Sequence, residues 1–140
     1  MTNPQTLALR LLRAGTAVHL IIHGIARVRL GIVDDFGVVL GIWGFPAGFA
    51  LAWTITVIEV VGGTALALGY FVRPLTAWFA FQLVMGIYFV HAPSGWFVVG
   101  AGRNGMEFSV LLLVCLAVIA ISARQPQLGN GSWAKPVLSR

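Results

Sequence analysis

Charge is the scarcest property of this 140-residue chain: nine Lys and Arg and four Asp and Glu make up 9% of it. A soluble domain carries nearer a quarter charged residues and needs that polar surface to stay dispersed. Their scarcity argues against a soluble domain. Cysteine is also nearly missing. Cys115 stands alone in an apolar run, which excludes an internal disulfide, a C-x-x-C redox pair and a C-x-x-C-H haem attachment. There is no glycine-rich phosphate loop, no nucleophile elbow and no repeat of fixed period. The nine basic residues give a net charge of +5, but they do not cluster among aromatics as a nucleic-acid interface would. Attraction to anionic lipid is the reading that fits them.

What the chain has instead is apolar length. It is 59% hydrophobic, with a mean hydropathy of +0.92. About 20 apolar residues of helix cross a hydrocarbon core of about 30 Å. Four stretches qualify: Leu7 to Ile25, Gly48 to Gly69, Leu75 to His91, and Gly105 to Ala123. In the third, Trp78 and Tyr88 suit interfacial anchoring. The expectation is an all-α, polytopic membrane protein, a four-helix transmembrane bundle over residues 1–125 followed by a cytoplasmic tail over 126–140. The stretch from Arg124 to the end of that tail, "RQPQLGNGSWAKPVLSR", has the composition of a disordered or surface-lying segment. No small-x-small cleavage site follows the first apolar stretch, as a signal peptide would require. The runs are continuous rather than alternating, unlike those of a β-barrel.

The basic residues predict the orientation. With a cytoplasmic N-terminus, Arg10, Arg13, Arg73, Arg124, Lys135 and Arg140 fall inside, and only Arg27, Arg29 and Arg103 outside, with Asp34 and Asp35. Both termini are therefore expected in the cytoplasm. "VRLGIVDDFGVVLGIWGFP" links the first two helices. Its glycines, paired aspartates and Pro46 argue against a straight span, and its apolar remainder is expected to lie in the outer interface or cap the bundle. "YFVRP" predicts a tight turn in which Pro74 starts the third helix, and "HAPSGWFVVGAGRNG" an outer loop.

Against this apolar background the polar residues stand out. His19, His23 and Arg27 recur every fourth residue and form one stripe on a helix. Lipid-facing, that stripe would leave two imidazoles and a guanidinium in hydrocarbon. It is therefore expected to face the interior, toward Glu59 and Glu107, with Arg27 paired to an acid near the outer rim and with His19 and Glu59 nearer the midplane. Glu59 sits mid-span, where a charged carboxylate must be paired or else protonated. His91 ends the third helix, and Arg103 and Asn104 precede Glu107 at the start of the fourth. Glu59 and Glu107 are candidate catalytic acids or proton relays. His19, His23, Arg27, His91, Arg103 and Asn104 are candidate cofactor-binding groups.

The set His19, His23, Glu59 and Glu107 would make a mixed nitrogen and oxygen metal site, although H-x-x-x-H by itself is a weak metal signal. The bland readings are that Arg27 snorkels to the headgroups, that His91 and Arg103 are boundary residues, and that the histidines are hydrogen-bonded packing groups. Gly62, Gly63 and Ala67 read as a close-packing face, and Gln82 as an interhelical hydrogen-bond donor.

The stretch "FPAGFALAWTITVIEVVGGTALALGYFVRPLTAW" resembles the DoxX family, with its second-helix glutamate, the glycines after it and the turn into the third helix. "NGMEFSVLLLVCLAVIAI" is similar to the family's fourth helix, and "RLLRAGTAVHLIIHGIARV" to its first. The resemblance covers roughly residues 7 to 125. It implies a four-helix, multi-pass protein of a bacterial-type inner membrane that serves a redox process as a quinone-facing or partner-binding oxidoreductase subunit. Glu59 and Glu107 carry the family pattern. Independently of the resemblance, the set of His, Glu, Arg and Asn at the outer mouth suits a transition metal, a haem, a quinone headgroup or a small anion, or the carriage of protons. The bilayer, a soluble or membrane redox partner and a second copy of the chain are the expected partners, and nucleic acid is not. A small-molecule or proton carrier, or a structural adaptor without catalysis, is the alternative.

Overall fold

The computed structural model describes residues 3–123, and the expected tail lies outside them. Among the described residues every regular element is helical. Helix α1 runs over Pro4–Arg29, with the Asn3 side chain accepting from the Gln5 backbone N–H at its start. It is longer than hydropathy alone suggested. No glycine or proline stop intervenes before Gly31, whose φ of +68° closes the helix. His23 and Arg27 therefore stand on the regular helix.

Helix α2 covers Val33–Ile42 within the linker. Ten residues rise about 15 Å, too little to cross a bilayer. It packs on the start of α3 through Val33, Leu40 and Ala52. The approach is close because Gly37 and Gly48 meet without side chains.

Helix α3 is continuous over Gly48–Leu68, interrupted by one π turn at Ile58–Gly62 that carries Glu59. Such a turn inserts a residue and re-phases the faces on either side of it. Thr56, just before it, and Glu59, within it, turn toward α1; Gly62, at its end, approaches Leu75 and Phe79 of α4, and Gly63, just beyond it, approaches Ala17 and Ile21 of α1. The small-residue face read from the sequence is the α1–α3–α4 contact.

Helix α4 spans Val72–Ser94. It begins after the turn at Gly69 and ends in a second π turn, Ile87–His91. Helix α5 covers Glu107–Ser122. Gly105 and Met106 were expected inside it, but their N–H groups bond to Phe97 and Gly95 carbonyls and so belong to the preceding loop.

By length and composition α1, α3 and α4 can each cross a membrane, and α5 is a shorter apolar helix. Their packing is inverted relative to a soluble protein. Ile22, Val61, Val114 and Ile121 are more than 40% exposed, while Thr16, Thr56, Glu59, Thr76 and Ser109 are buried. Hydrocarbon outside and polar groups inside is the distribution a bilayer selects. Ala17 and Leu20 of α1, Leu66 of α3, Phe79 of α4, and Leu116 and Ile119 of α5 form the shared core at the end nearest the α3–α4 turn. Toward the other end, under α2 and the 95–106 loop, the helices separate.

At Gly24 α1 and α3 approach closely. A Cβ there would sit 3.0 Å from the Thr56 carbonyl oxygen, 3.1 Å from Glu59 Cβ and 2.8 Å from Val60 Cγ2. We expect Gly24→Val to lower thermal stability in detergent by about 1–3 kcal/mol, as overpacking does. Gly15→Ala, where a Cβ would meet nothing within 4 Å, should leave it unchanged or raised. Equal behaviour of the two variants would mean that α1 and α3 do not pack at Gly24.

Candidate functional site

Where the helices separate they enclose a cavity of about 460 Å³, within the range of roughly 300–1,000 Å³ common for small-molecule sites. Its polar centre is built from three helices. Arg27 comes from the last turns of α1, and its Nη2 lies 2.7 Å from Glu59 Oε1. Nη1 donates to Thr56 Oγ1 at 3.0 Å, while that hydroxyl donates to the Ala52 carbonyl at 2.8 Å. The guanidinium carbon sits 5.0 Å from the centre of the Phe36 ring on α2, a cation–π distance. From α4, Gln82 Nε2 donates to the same Glu59 Oε1. This bond fixes the amide direction, because a flipped Gln82 would set its oxygen against the carboxylate.

Glu59 is 2% exposed, so its charge depends on these partners. They do not use all of it. Glu59 Oε2 and Gln82 Oε1 are buried with no hydrogen-bond partner among the described residues, and so is Trp78 Nε1. All three residues line the cavity.

The walls are aromatic. Phe89, on the second π turn, stacks on Trp43 with centroids 4.8 Å apart and meets Phe45 edge-on at 5.6 Å. These contacts tie α4 to the linker around α2. At one flank, between α1 and α5, His19 stacks on Phe108 at 6.4 Å and tilts toward His23 at 5.2 Å. Both His23 and Phe108 are exposed there, so the cavity is open on this side.

His19, His23, Arg27, Glu59, His91 and Asn104 all line the cavity. Arg27 and Glu59 pair directly. Glu59 stands opposite Gly24 and Arg27 rather than level with His19, as depth counted along ideal helices had placed it. Glu107 does not line the cavity: its Oε1 accepts from the Val98 N–H, and its own N–H donates to the Trp96 carbonyl. Glu107 therefore pins the 95–106 loop over the cavity mouth. Arg103 is exposed in that loop and is not part of the wall.

His91 Nδ1 lies 2.9 Å from the Asn104 carbonyl. A carbonyl only accepts, so Nδ1 carries the hydrogen and Nε2 remains an acceptor in the neutral ring. Among the described residues no group of three His, Cys, Asp or Glu is placed to hold a metal ion. Sequence reasoning did not find Thr56, Phe36, Trp43 or Phe89, or the pairing of Gln82 with Glu59. Gln82 carried a usable signal as a mid-span amide, and the aromatic residues of the linker carried a weaker one.

The DoxX family model matches residues 8–92, more than half of the chain, from α1 through the second π turn. The chain belongs to the DoxX family. The comparisons with curated proteins and with solved structures give no match. The matched DoxX region contains Arg27, Thr56, Glu59 and Gln82, the whole polar centre. Asn104, Glu107 and the loop over the mouth lie beyond it.

Because this DoxX protein holds Glu59 against Arg27 in a largely buried pair, removing one charge strands the other. We expect Glu59→Gln or Arg27→Met alone to cost about 3–5 kcal/mol of stability. The double variant should recover at least half of that loss. Thermal unfolding in one detergent measures the cycle. Additive single losses would show that the two groups are not coupled.

Proposed function

We propose that this DoxX-family protein binds a lipophilic ring molecule of the quinone class in its cavity and serves a redox process in a bacterial-type inner membrane. In this reading α1, α3, α4 and α5 all cross the bilayer with both termini in the cytoplasm. The 16 residues of α5 rise about 24 Å.

One observation carries the proposal: a buried carboxylate, neutralised on one oxygen and bare on the other, faces an aromatic-walled cavity. A planar ring stacks on such walls, its oxygen atoms reach the polar centre, and its hydrocarbon tail leaves through the open flank into lipid. Histidines 19, 23 and 91 stand where protons could be passed on. A metal-centred reading lacks a ligand set among the described residues.

A second reading, a proton or small-molecule carrier, is favoured by His23. It lines both this cavity and a shallower cleft beside Asp35 and Phe36 on α2. Solute uptake into vesicles driven by a pH gradient, without ring-ligand binding, would select the carrier.

Gly86 supplies the test. It lies one turn beyond Gln82 on the cavity face of α4, and a Cβ there meets nothing within 4 Å. We expect a short-tailed quinone–quinol couple to bind the purified protein at one saturable site in at least one redox form. Gly86→Leu should weaken that binding at least tenfold without loss of thermal stability. Calorimetric titration in detergent checks both. No saturable binding of either form, or binding untouched by Gly86→Leu, would overturn the proposal.

A further inference from the structure

Among the described residues, the buried polar atoms left unpartnered in the cavity wall are two acceptors and one donor, and this constrains the oxygen groups of any bound ring. Glu59 Oε2 and Gln82 Oε1 are both acceptors, both buried and both without a partner among the described residues. Their polarity is fixed internally. Arg27 holds Glu59 as a carboxylate, and the bond from Gln82 Nε2 to that carboxylate leaves the amide oxygen as the free end. At the mouth, His91 Nε2 is a third acceptor, because Nδ1 is spent on the Asn104 carbonyl. Among the described residues, the one buried unpartnered donor in the wall is Trp78 Nε1. It lies one helical turn before Gln82 on the same face of α4.

A ring hydroxyl and a ring carbonyl meet this set differently. The hydroxyl donates its hydrogen to Glu59 Oε2 or Gln82 Oε1, and its lone pairs accept from Trp78. The carbonyl accepts from Trp78 and can do nothing for the two acceptors. It brings its own lone pairs toward a carboxylate and leaves both acceptors buried and desolvated. A site built to receive a hydroxyl rejects the analogue lacking it far more strongly than its size difference would suggest.

We infer that the cavity selects the reduced, hydroxyl-bearing form of its ligand: a hydroquinone binds more tightly than the corresponding quinone. This rests on the quinone-class reading above, and names the redox state that the site stabilises. The residues that impose it are Glu59 and Gln82 as acceptors, with Arg27 holding Glu59 in the acceptor state. A consequence concerns the bound couple. Preferential binding of the reduced form raises the midpoint potential of the couple, by about 30 mV for each tenfold of selectivity in a two-electron couple.

The experiment is a three-ligand titration of the full chain in detergent under argon. The ligands are a short-tailed hydroquinone, its quinone and its di-O-methyl ether. The ether keeps the ring and tail of the hydroquinone but can donate no hydrogen bond. The hydroquinone should bind at least tenfold more tightly than either of the others, with the midpoint potential of the bound couple raised by at least about 30 mV. Gln82→Met, which keeps the length and removes the acceptor, should weaken the hydroquinone about tenfold and change the quinone by less than threefold. Equal affinity for hydroquinone and quinone, or tighter binding of the quinone, overturns the selectivity while leaving ring binding in place. Failure of all three to bind overturns the quinone-class reading itself. A hydroquinone no tighter than its dimethyl ether shows that the ring binds without donating to Glu59 or Gln82, and overturns the inference on that ground.

Discussion

The pairing of Arg27 with Glu59 is the contact on which the rest of the arrangement depends. A lone carboxylate or guanidinium at this depth would be costly in hydrocarbon; together, at 2.7 Å, they neutralise one another. Their union also sets the geometry. Gly24 lets α3 approach α1 closely enough for the contact, and the π turn at Ile58–Gly62 brings Glu59 round to meet it. Thr56 on one side and Phe36 on the other then hold the guanidinium in place. Remove the pair, and neither the glycine nor the π turn has an evident purpose.

The cavity follows from the same constraint. The apolar core gathers at the end of the molecule near the α3–α4 turn, where small residues let α1, α3 and α4 pack tightly. Near Glu59 the side chains from α1, α3 and α4 include two histidines, a guanidinium, a carboxylate and an amide. Such groups meet through specific bonds rather than close packing, and they leave room between the helices. The linker then covers that room instead of lying idle in the interface, with α2 against α3 and with Trp43 and Phe45 against Phe89. Glu107 fastens the 95–106 loop across the remaining mouth. One carboxylate thus serves the centre and the other its cover.

The membrane-length helices were legible because hydropathy over about 20 residues depends on composition alone. Helical periodicity and the cost of polar groups in lipid made a stripe of His19, His23 and Arg27 legible; all three line the cavity, but His23 is exposed at its open flank. Two kinds of feature stayed hidden. The π turns at Ile58–Gly62 and Ile87–His91 leave no periodic signature. The first re-phases the face of α3 at Glu59, which lies opposite Gly24 and Arg27 rather than level with His19. Which acid Arg27 would choose was equally hidden. Depth along the helices puts Glu107 at the rim with Arg27 and Glu59 deeper, whereas Arg27 pairs with Glu59 and the backbone course of the loop turns Glu107 to the Val98 N–H. Phe36 and Trp43 read as lying in the outer interface or capping the bundle, because the glycines, paired aspartates and Pro46 of their segment argue against a straight span. Nothing in their spacing says that they close a cavity.

Ionisation of Glu59 is the central claim, since a neutral acid would neither need Arg27 nor offer a bare acceptor. Infrared spectroscopy of the purified protein measures it directly, and the chain helps by having only four acidic side chains: Asp34, Asp35, Glu59 and Glu107. At neutral pH the account predicts no protonated-carboxyl stretch that disappears in Glu59→Gln. A carboxylic C=O band present in the wild type and lost in that variant would show Glu59 neutral at rest and would contradict it.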